Sequence, residues 1–391
     1  MKIAIFTDSF FPYLCGITTA IKNRAEGLIN RGHEVAVFRP SADEIESDIP
    51  EGLQVYDLPV SVSARGFKDL NIEIPLFLPA YNSVREFDPD IFHVDTEGGV
   101  GWQGVFSAKV MRKPLVTTPH TFWADEEYVE YLPTSNKSLK QSFAWKYMLS
   151  FHARADLVVT PSRAMKERFE QRELKTPMEV VPNSIREVNL KDDEFMKRKR
   201  DKYGLEGSPN LVFVGRVSHE KSLGKVIEAF KKVVPTYSDS EFVIIGDGDD
   251  RERLEEKVDK LDLEKKVKFL GSVPNDKLMK NNLYRLGDIF VTASKSEDFP
   301  VSLLEAQQFG LPIIAPEAGG IPEIVTDQKD GLLYSAKADE EVRTIATLLK
   351  ELMGDKPKRN KMSQNALESS KRYSISRVSK RLEKLYQDLV A

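Results

Sequence analysis

Buried-strand and helical patterns alternate along this chain from its first residues. The apolar run KIAIFTD is followed by a loop containing glycine and by ITTAIKNRAEGLINRG, whose apolar positions recur at helical spacing. The next strand candidates are GHEVAVFRP, LQVYDL, DIFHVD, PLVTTP and DLVVTPS, with helical patterns between most of them. This alternation predicts a parallel α/β sheet covered on both faces, formed by residues 1–185.

A second series of strand candidates follows a charged connector, which we place at residues 186–209. They are PNLVFVGRV, EFVIIGDG, VKFLGSV, DIFVTAS and LPIIAP, and each precedes a helical or turn segment. We therefore predict a second doubly wound domain over residues 210–372. Residues 373–391 predict a terminal amphipathic helix with Val378, Leu382 and Leu385 on one stripe, which we expect to dock on folded protein.

Composition fits two domains and argues against several classes of protein. The chain has 391 residues with 41% hydrophobic content, enough to form two cores, and its net charge of -4 does not favour nucleic acid as a partner. One cysteine, Cys15, cannot form an internal disulfide, so a reducing, cytoplasmic setting is expected. The N-terminus lacks a secretory signal pattern, and no apolar stretch reaches the roughly 18 residues of a membrane span. Any membrane contact would therefore be peripheral, on the inner face.

Two acids, Glu297 and Glu305, stand with seven residues between them after the strand candidate DIFVTAS. Glu297 lies in the predicted loop and Glu305 in the predicted helix VSLLEAQQF. Ligands bind at the carboxyl ends of strands in parallel sheets, and these two acids suit a sugar hydroxyl and a ribose better than a metal. Taken separately, Glu297 could instead cap the helix and Glu305 could be an exposed helical glutamate.

Two cations follow the strand LVFV in the segment GRVSHEKSL. Arg216 lies at the carboxyl end of the strand, and Lys221 lies five residues later near a helix start. Cations converging here could neutralise a diphosphate leaving group without a metal ion. Lys221 alone could equally be a solvated surface lysine, whereas an arginine directly after a buried strand requires an anionic partner.

Gly16 and His120 are the candidate residues of the first domain. Gly16 would let a phosphate approach the backbone at a helix start, or it could serve only a tight turn; it is not part of a G-x-G-x-x-G fingerprint. His120, after the strand PLVTT, could hydrogen-bond a sugar hydroxyl or stabilise charge in the transition state, and we expect it at a cleft between the domains. Its alternative is a loop histidine bonded to its own backbone.

The acidic segment DGDDRERLEE could suggest a metal site through Asp247, Asp249 and Asp250. We interpret these residues instead as acids in a turn and in the first turn of a helix, where they complement the helix dipole.

Together these motifs resemble those of the retaining glycosyltransferases of family 4, which have the GT-B fold. The resemblance runs from PYLCG and RGHEV through GRVSHEKSL, IIGDGDD and FLGSV to SEDFPVSLLEAQQFGLPIIAPEAGGIPEIV. It implies an α/β protein of two Rossmann-like doubly wound domains facing across a cleft, with the terminal helix crossing back to the first domain.

The resemblance also implies roles for individual residues. Arg216 and Lys221 would hold the donor diphosphate with the amide of Gly16, while Glu297 would bind a hydroxyl of the transferred sugar beside His120. The catalytic residues would be His120, Arg216, Lys221 and Glu297. The donor-binding set would be Gly16, Arg216, Lys221, Val273, Glu297, Phe299, Pro300, Val301, Ser302 and Glu305, with Glu305 on the ribose and no divalent metal.

Two departures from the family pattern affect this site. Asp298 and Pro300 stand where the usual E-G-F-G loop has glycines, and Pro300 removes one amide donor to phosphate. Cys15-Gly16 replaces the common double glycine of the first loop.

The family resemblance implies retention of anomeric configuration, and we expect same-face attack because no carboxylate is an obvious nucleophile. The segment HTFWADEEYVEYLP is similar to that of enzymes that build glucosyl-diacylglycerol, which favours a membrane glycerolipid acceptor such as diacylglycerol. A soluble acceptor (a sugar phosphate, an inositol derivative or a polysaccharide) stays open, as do a phosphorylase, an epimerase and an inactive binding subunit. UDP and GDP donors both fit.

A basic and aromatic helix pattern follows this segment and would suit anionic lipid. Its cations are Lys137, Lys140, Lys146 and Arg154, and its apolar residues are Phe143, Trp145, Tyr147, Met148 and Phe151. The alternative is that the aromatic residues belong to the core and the lysines form a solvated face.

Overall fold

The computed structural model describes residues 1–13, 15–42, 49–58, 77–121, 137–336 and 340–391. The chain divides into two compact units. The first contains Met1–Ser184 and Ile375–Ala391, and the second contains Ile185–Ser374.

Described residues of the first unit form a parallel sheet flanked by helices. Its strands are β1 (Lys2–Phe6), β2 (Glu34–Pro40), β3 (Gln54–Leu58), β4 (Ile91–Val94), β5 (Leu115–Thr117), β6 (Leu157–Thr160) and β7 (Met178–Val180). Its helices are α1 (Gly16–Ile29), α2 (Phe77–Phe87), α3 (Gly99–Met111), α4 (Lys137–His152) and α5 (Arg163–Gln171). The strand order is β3-β2-β1-β4-β5-β6-β7.

The second unit repeats this architecture. Its strands are β8 (Leu211–Val214), β9 (Phe242–Ile245), β10 (Val267–Phe269), β11 (Ile289–Val291), β12 (Ile313–Glu317) and β13 (Gly331–Ser335). Its helices are α6 (Asp193–Lys202), α7 (Leu223–Val233), α8 (Arg251–Lys260), α9 (Asn275–Lys280), α10 (Val301–Gln308), α11 (Ile321–Ile324), α12 (Glu341–Gly354) and α13 (Lys356–Ser370). The strands run parallel in the order β10-β9-β8-β11-β12-β13.

In each sheet the direction of the strand order reverses at the first strand of the unit. β1 lies between β2 and β4, and β8 lies between β9 and β11. The loops after these neighbouring strands start at the same edge, and a change in strand order at that edge creates a crevice for ligands. The loops after β8 and β11 carry Lys221 and Glu297, so the topology of the second unit brings these two residues to one edge.

The predicted fold class is confirmed, because both units are doubly wound parallel sheets. The central strands are apolar on both faces, as in β1, where Ile3, Ala4, Ile5 and Phe6 are fully buried. The sequence reading missed the edge strands β7 and β13. Residues 186–209, expected as a connector, lie in the second unit and include α6, whose N-cap Asp192 accepts from the Phe195 amide at 2.8 Å.

The terminal helix α14 (Ile375–Val390) packs against α1 in the first unit. Leu382 and Tyr386 are buried there, and Val378 and Leu385 pack beside them. α14 is amphipathic, and among the described helices none is long and apolar enough to cross a membrane.

Gly27 allows the close approach of α1 and α14, which generates a prediction for stability. A Cβ at this position would lie 1.9 Å from Ser379 Oγ and 2.9 Å from Ser379 Cβ. Overpacking costs about 1–3 kcal/mol, which exceeds the roughly 0.5–1 kcal/mol that alanine gains over glycine inside a helix. We expect Gly27→Ala to lower the free energy of unfolding in urea, whereas Gly16→Ala, with no protein atom within 4 Å of the new Cβ, should not. Equal stabilities of the two variants would contradict the tight helix contact.

Candidate active site

Lys221 and Glu297 form an ion pair at the carboxyl edge of the second sheet. Lys221 ends a short 3-10 turn, His219–Lys221, after β8, and Glu297 lies in the loop between β11 and α10. Lys221 Nζ donates to Glu297 Oε1 at 2.7 Å, and each side chain is only 16% exposed. Lys221 is therefore not a solvated surface lysine. Glu297 does not cap α10, since Pro300 occupies the N-cap position and no side chain caps the helix.

The loop that carries Glu297 is fixed through its own backbone. Gly319 has a φ of +52°, and a Cβ there would lie 2.0 Å from the Glu297 carbonyl oxygen. The Gly320 amide donates to the same oxygen at 2.9 Å. The double glycine after β12 therefore permits a close contact that holds Glu297 in place.

The preceding part of the loop is fixed by a buried carboxylate. Lys295 Nζ lies 3.0 Å from Glu341 Oε2 and donates to the Ala336 carbonyl at 2.6 Å. Lys225 of α7 also pairs with Glu341, at 2.7 Å. The position of Glu297 thus depends on contacts before and after it.

Glu305 lies inside α10 and is buried, with 5% of its surface exposed, so it is not the exposed helical glutamate of the alternative. Asn275 Nδ2 donates to its Oε1 at 2.8 Å, and Tyr284 Oη donates to its Oε2 at 2.5 Å. Burial raises the pKa of Glu305 above its usual range, although both hydrogen bonds act in the opposite direction. Sequence reasoning missed Asn275 and Tyr284, because each lies in a separate short segment outside the loop and helix that carry Glu297 and Glu305.

Arg216 is the more exposed of the two predicted cations, with 51% of its side chain accessible. Its Nε lies 3.9 Å from Oε1 of Glu220, a buried residue that sequence reasoning missed. Glu220 in turn accepts from Ser218 Oγ at 2.5 Å. The guanidinium therefore lies beside an acid on a solvent-accessible loop, where an anionic ligand could reach it.

Several predicted donor-binding residues contribute side chains to the core of the second unit. Phe299 and Val301 are buried, and Phe299 packs edge-on against Tyr373 with ring centroids 5.6 Å apart. Val273 packs against the core and is partly buried. Ser302 is half-buried in the first turn of α10. Because both side chains are buried, only the backbone of Phe299 and Val301 could contact a ligand.

Gly16 and His120 belong to the first unit. Gly16 is the first residue of α1, and the space where its Cβ would lie is open. His120 Nε2 lies 2.7 Å from Asp95 Oδ1, so its partner is a buried carboxylate and not its own backbone. Asp95 follows β4 directly, and a polar residue at that place was the sequence signal that could have identified it.

Two acids of DGDD, Asp247 and Asp250, pair with arginines. Asp247 accepts from the Gly248 amide at 2.9 Å and from Arg251 at 3.1 Å, and Arg253 donates to both oxygens of Asp250 at 2.5 and 2.6 Å. No group of three or more potential metal ligands occurs in the part of the chain that the structure describes. These contacts agree with a turn and helix-start role for Asp247 and Asp250.

Helix α4 presents both buried and exposed apolar residues. Met148 and Phe151 are buried in the first unit, whereas Leu139 and Phe143 are 60% and 64% exposed. Lys140 is largely buried as well. The side chain of Lys137 and residues 122–136, which include most of HTFWADEEYVEYLP, lie outside the described residues.

Two family models match this chain in succession. The model described as Glycosyltransferase Family 4 matches residues 15–187, and the model described as Glycosyl transferases group 1 matches residues 195–369. The chain belongs to glycosyltransferase family 4. This assignment confirms the resemblance of the motifs, and the protein is a glycosyltransferase.

Relatives of this family 4 glycosyltransferase have names that indicate different transferred sugars. The chain is 29% identical to an alpha-monoglucosyldiacylglycerol synthase of Acholeplasma laidlawii, over 100% of this chain and 98% of that protein. It is 27% identical to a GDP-mannose-dependent alpha-mannosyltransferase of Mycolicibacterium smegmatis, over 87% and 86% of the two chains. The crystal structure of Anabaena HepE in complex with UDP and glucose has a TM-score of 0.80 at 20% identity over the full length of both chains. The last comparison confirms the GT-B fold.

The buried Glu305 generates a prediction for stability against pH. Because its folded pKa is raised from an ordinary value near 4.5, its ionisation disfavours the folded state as pH rises above that value. Glu305→Gln removes the buried charge and should increase the free energy of unfolding by about 1–3 kcal/mol at pH 8, with little difference at pH 4. Urea unfolding across this range measures the effect.

The exposed Glu264 provides a matched control in the same unit, because Glu264→Gln removes a solvated charge. A stability difference for Glu305→Gln that does not change with pH would show that Glu305 is not held as an ionisable buried group.

Proposed function

We propose that this glycosyltransferase moves a hexose from a UDP- or GDP-linked sugar to a hydroxyl of a membrane glycerolipid such as diacylglycerol, with retention of anomeric configuration. The observation that carries the proposal is the enclosed Lys221–Glu297 pair at 2.7 Å, next to the loop of Arg216. One cation and one carboxylate at hydrogen-bond distance provide one group for an anionic leaving group and one for a sugar hydroxyl.

In this proposal the donor binds without a divalent metal. Arg216 and Lys221 neutralise the diphosphate, and the charge that develops on the leaving oxygen is stabilised by these fixed cations. Glu305, held by Asn275 and Tyr284, accepts hydrogen bonds from the ribose hydroxyls. A diphosphate at Lys221 would compete with Glu297 for the ammonium group, which leaves the Glu297 carboxylate able to accept from the transferred sugar.

The transfer step we propose is a same-face substitution. The bond between the anomeric carbon and the phosphate oxygen breaks as the bond from that carbon to the acceptor oxygen forms. The acceptor hydroxyl loses its proton to the departing phosphate oxygen, so no protein nucleophile is required. His120 lies beside the transferred sugar in this account.

A glycerolipid acceptor is supported by two observations. The similarity to the monoglucosyldiacylglycerol synthase extends over the whole chain. Leu139 and Phe143 lie four residues apart on α4 and are largely exposed, with the cation Lys146 on the same helix. An exposed apolar ridge beside a cation suits peripheral contact with a membrane that contains anionic lipid.

A soluble acceptor is the second candidate. The donor is a separate question: the similarity to a GDP-mannose-dependent mannosyltransferase, which covers 87% of this chain, is a reason to test GDP-linked as well as UDP-linked sugars. Incubating the enzyme with diacylglycerol vesicles and, separately, with sugar phosphates, inositol derivatives or polysaccharide distinguishes these acceptors. Phosphate-dependent cleavage of a disaccharide or epimerisation of the donor would contradict transfer as the reaction.

Donor binding is tested by thermal unfolding with nucleotide sugars, since a ligand of the native state raises the unfolding midpoint. We expect UDP-glucose or GDP-mannose to raise the midpoint equally with and without EDTA. Lys221→Ala should weaken this binding by about 10- to 100-fold, because a hydrogen bond to a charged group contributes about 1.5–3 kcal/mol. Lys257→Ala is a matched control, since Lys257 pairs with Glu228 on neighbouring helices.

A midpoint shift that EDTA abolishes would overturn metal-free donor binding. Wild-type affinity in Lys221→Ala would remove Lys221 from the donor site.

The ridge on α4 gives a separate prediction for membrane contact. Phe143→Ser should weaken binding to vesicles that contain phosphatidylglycerol by about 10-fold or more, measured by co-sedimentation, since about 1.5–3 kcal/mol of apolar transfer is lost for a full side chain. Leu190→Ser, a change at a residue 48% exposed in the second unit, is the control. Equal losses in both variants, or none, would exclude the ridge as the contact surface.

A further inference from the structure

A hydrogen-bond network of polar side chains connects the terminal helix to His120. Tyr386 of α14 is fully buried, and its hydroxyl contacts Nδ1 of His93 on β4. His93 Nε2 lies 2.7 Å from Thr118 Oγ1 and 3.2 Å from Arg24 Nη1. Arg24 connects this network to Asp95, which is the partner of His120.

The partners of His93 fix its protonation state. A guanidinium nitrogen can only donate, so His93 Nε2 must accept from Arg24. Nδ1 therefore carries the proton and donates to the Tyr386 hydroxyl oxygen. Burial and the nearby Arg24 cation lower the pKa of His93 to about 3, so the ring is neutral at physiological pH.

The partners of Asp95 fix the proton of His120 in the same way. Arg24 Nη1 donates to the two oxygens of Asp95 at 2.5 and 2.6 Å, and Asp95 is fully buried. Burial alone would raise the pKa of Asp95, but the Arg24 cation and the hydrogen bond from His120 hold it below its usual range. An ionised carboxylate can only accept, so His120 Nε2 carries the proton at 2.7 Å from Asp95 Oδ1.

We propose that Asp95 is a positioning residue that holds His120 as the Nε2–H tautomer, and that Arg24, His93 and Tyr386 support Asp95 from behind. The proposal rests on the proposed function only in that His120 contacts the transferred sugar. With Nε2 donating to Asp95, Nδ1 is the only ring nitrogen left for a ligand, and in this tautomer Nδ1 can accept but not donate a hydrogen bond. Its partner is then a group that donates, such as a sugar hydroxyl.

This arrangement gives the terminal helix a part in catalysis besides packing. Helix α14 contributes Tyr386 to the network, and the Tyr386 hydroxyl accepts the hydrogen bond from His93 Nδ1. Thr118, bonded to His93 Nε2, lies two residues before His120. Loss of the Tyr386 hydroxyl would leave the His93 proton unpaired in the core and loosen the support of both Arg24 and Thr118.

The test compares Asp95→Asn, Tyr386→Phe and the double variant Arg24→Gln/Asp95→Asn in the full-length enzyme. The double variant removes the Arg24 cation that Asp95→Asn alone would leave without its anion, so it covers the case in which the single variant does not fold. Glu383→Gln is the control, because Glu383 joins α14 to Arg31 and His33 at the surface. Glu383→Gln weakens the docking of α14 but removes no hydrogen bond of the network from Tyr386 to His120.

Nitrogen-15 spectra of the histidine rings should show the Nε2–H form of His120 in the wild type and in Glu383→Gln. In Asp95→Asn and the double variant we expect the Nδ1–H form or a mixture. In these two variants the kcat of transfer should fall about 100-fold, which lies within the range attributed to a positioned acid or base. Tyr386→Phe should show a smaller fall, and all folded variants should keep the wild-type thermal shift with nucleotide.

Wild-type kcat together with an unchanged His120 tautomer in a folded Asp95 variant would overturn the proposal. An Nδ1–H form in the wild type would also overturn it. The failure of the proposed function has a different signature, namely a wild-type enzyme that binds no nucleotide sugar and transfers no hexose.

Discussion

The second unit is arranged so that two loops meet at one ion pair. Lys221 and Glu297 lie 2.7 Å apart, and neither carries more than 16% of its side-chain surface in solvent. Such a pair requires both loops to be fixed, and the parallel order β8-β11-β12 places their starting points side by side. Gly319 then allows the backbone contact to the Glu297 carbonyl, which a side chain at that position would prevent. The site therefore follows from sheet topology and from one glycine.

The same features explain what the sequence could predict. Strands buried on both faces are continuous apolar runs, so the sequence predicts the two sheets. It also predicts that Lys221, Glu297 and His120 lie in the loops after central strands. The sequence does not predict the partners of the functional candidates. Asn275 and Tyr284 reach Glu305 from other elements, and the association of Arg24 with Asp95 depends on how α1 packs on β4. The edge strands β7 and β13 were also missed, since the three residues of β7 are only half-buried and β13 begins at a glycine.

Polar groups in both units are buried where function would require it. Glu305 places a carboxylate in the core with two hydrogen-bond donors, and the network from Tyr386 to His120 includes the fully buried side chains of Tyr386, His93 and Asp95. Burial of a charge is unfavourable unless it is paired and hydrogen-bonded, and each of these groups has partners. Apolar residues of similar volume would satisfy packing alone, so the burial of these polar groups is consistent with the ligand-binding and positioning roles proposed for them.

The stereochemistry of the product distinguishes same-face transfer from transfer with inversion. The enzyme would be incubated with UDP-glucose and vesicles containing diacylglycerol, in the presence of EDTA, and the anomeric proton coupling of the extracted glycolipid would be measured by NMR. Same-face attack on the α-linked donor predicts an α-linked glucosyl lipid. A β-linked product would contradict same-face transfer at the Lys221–Glu297 site.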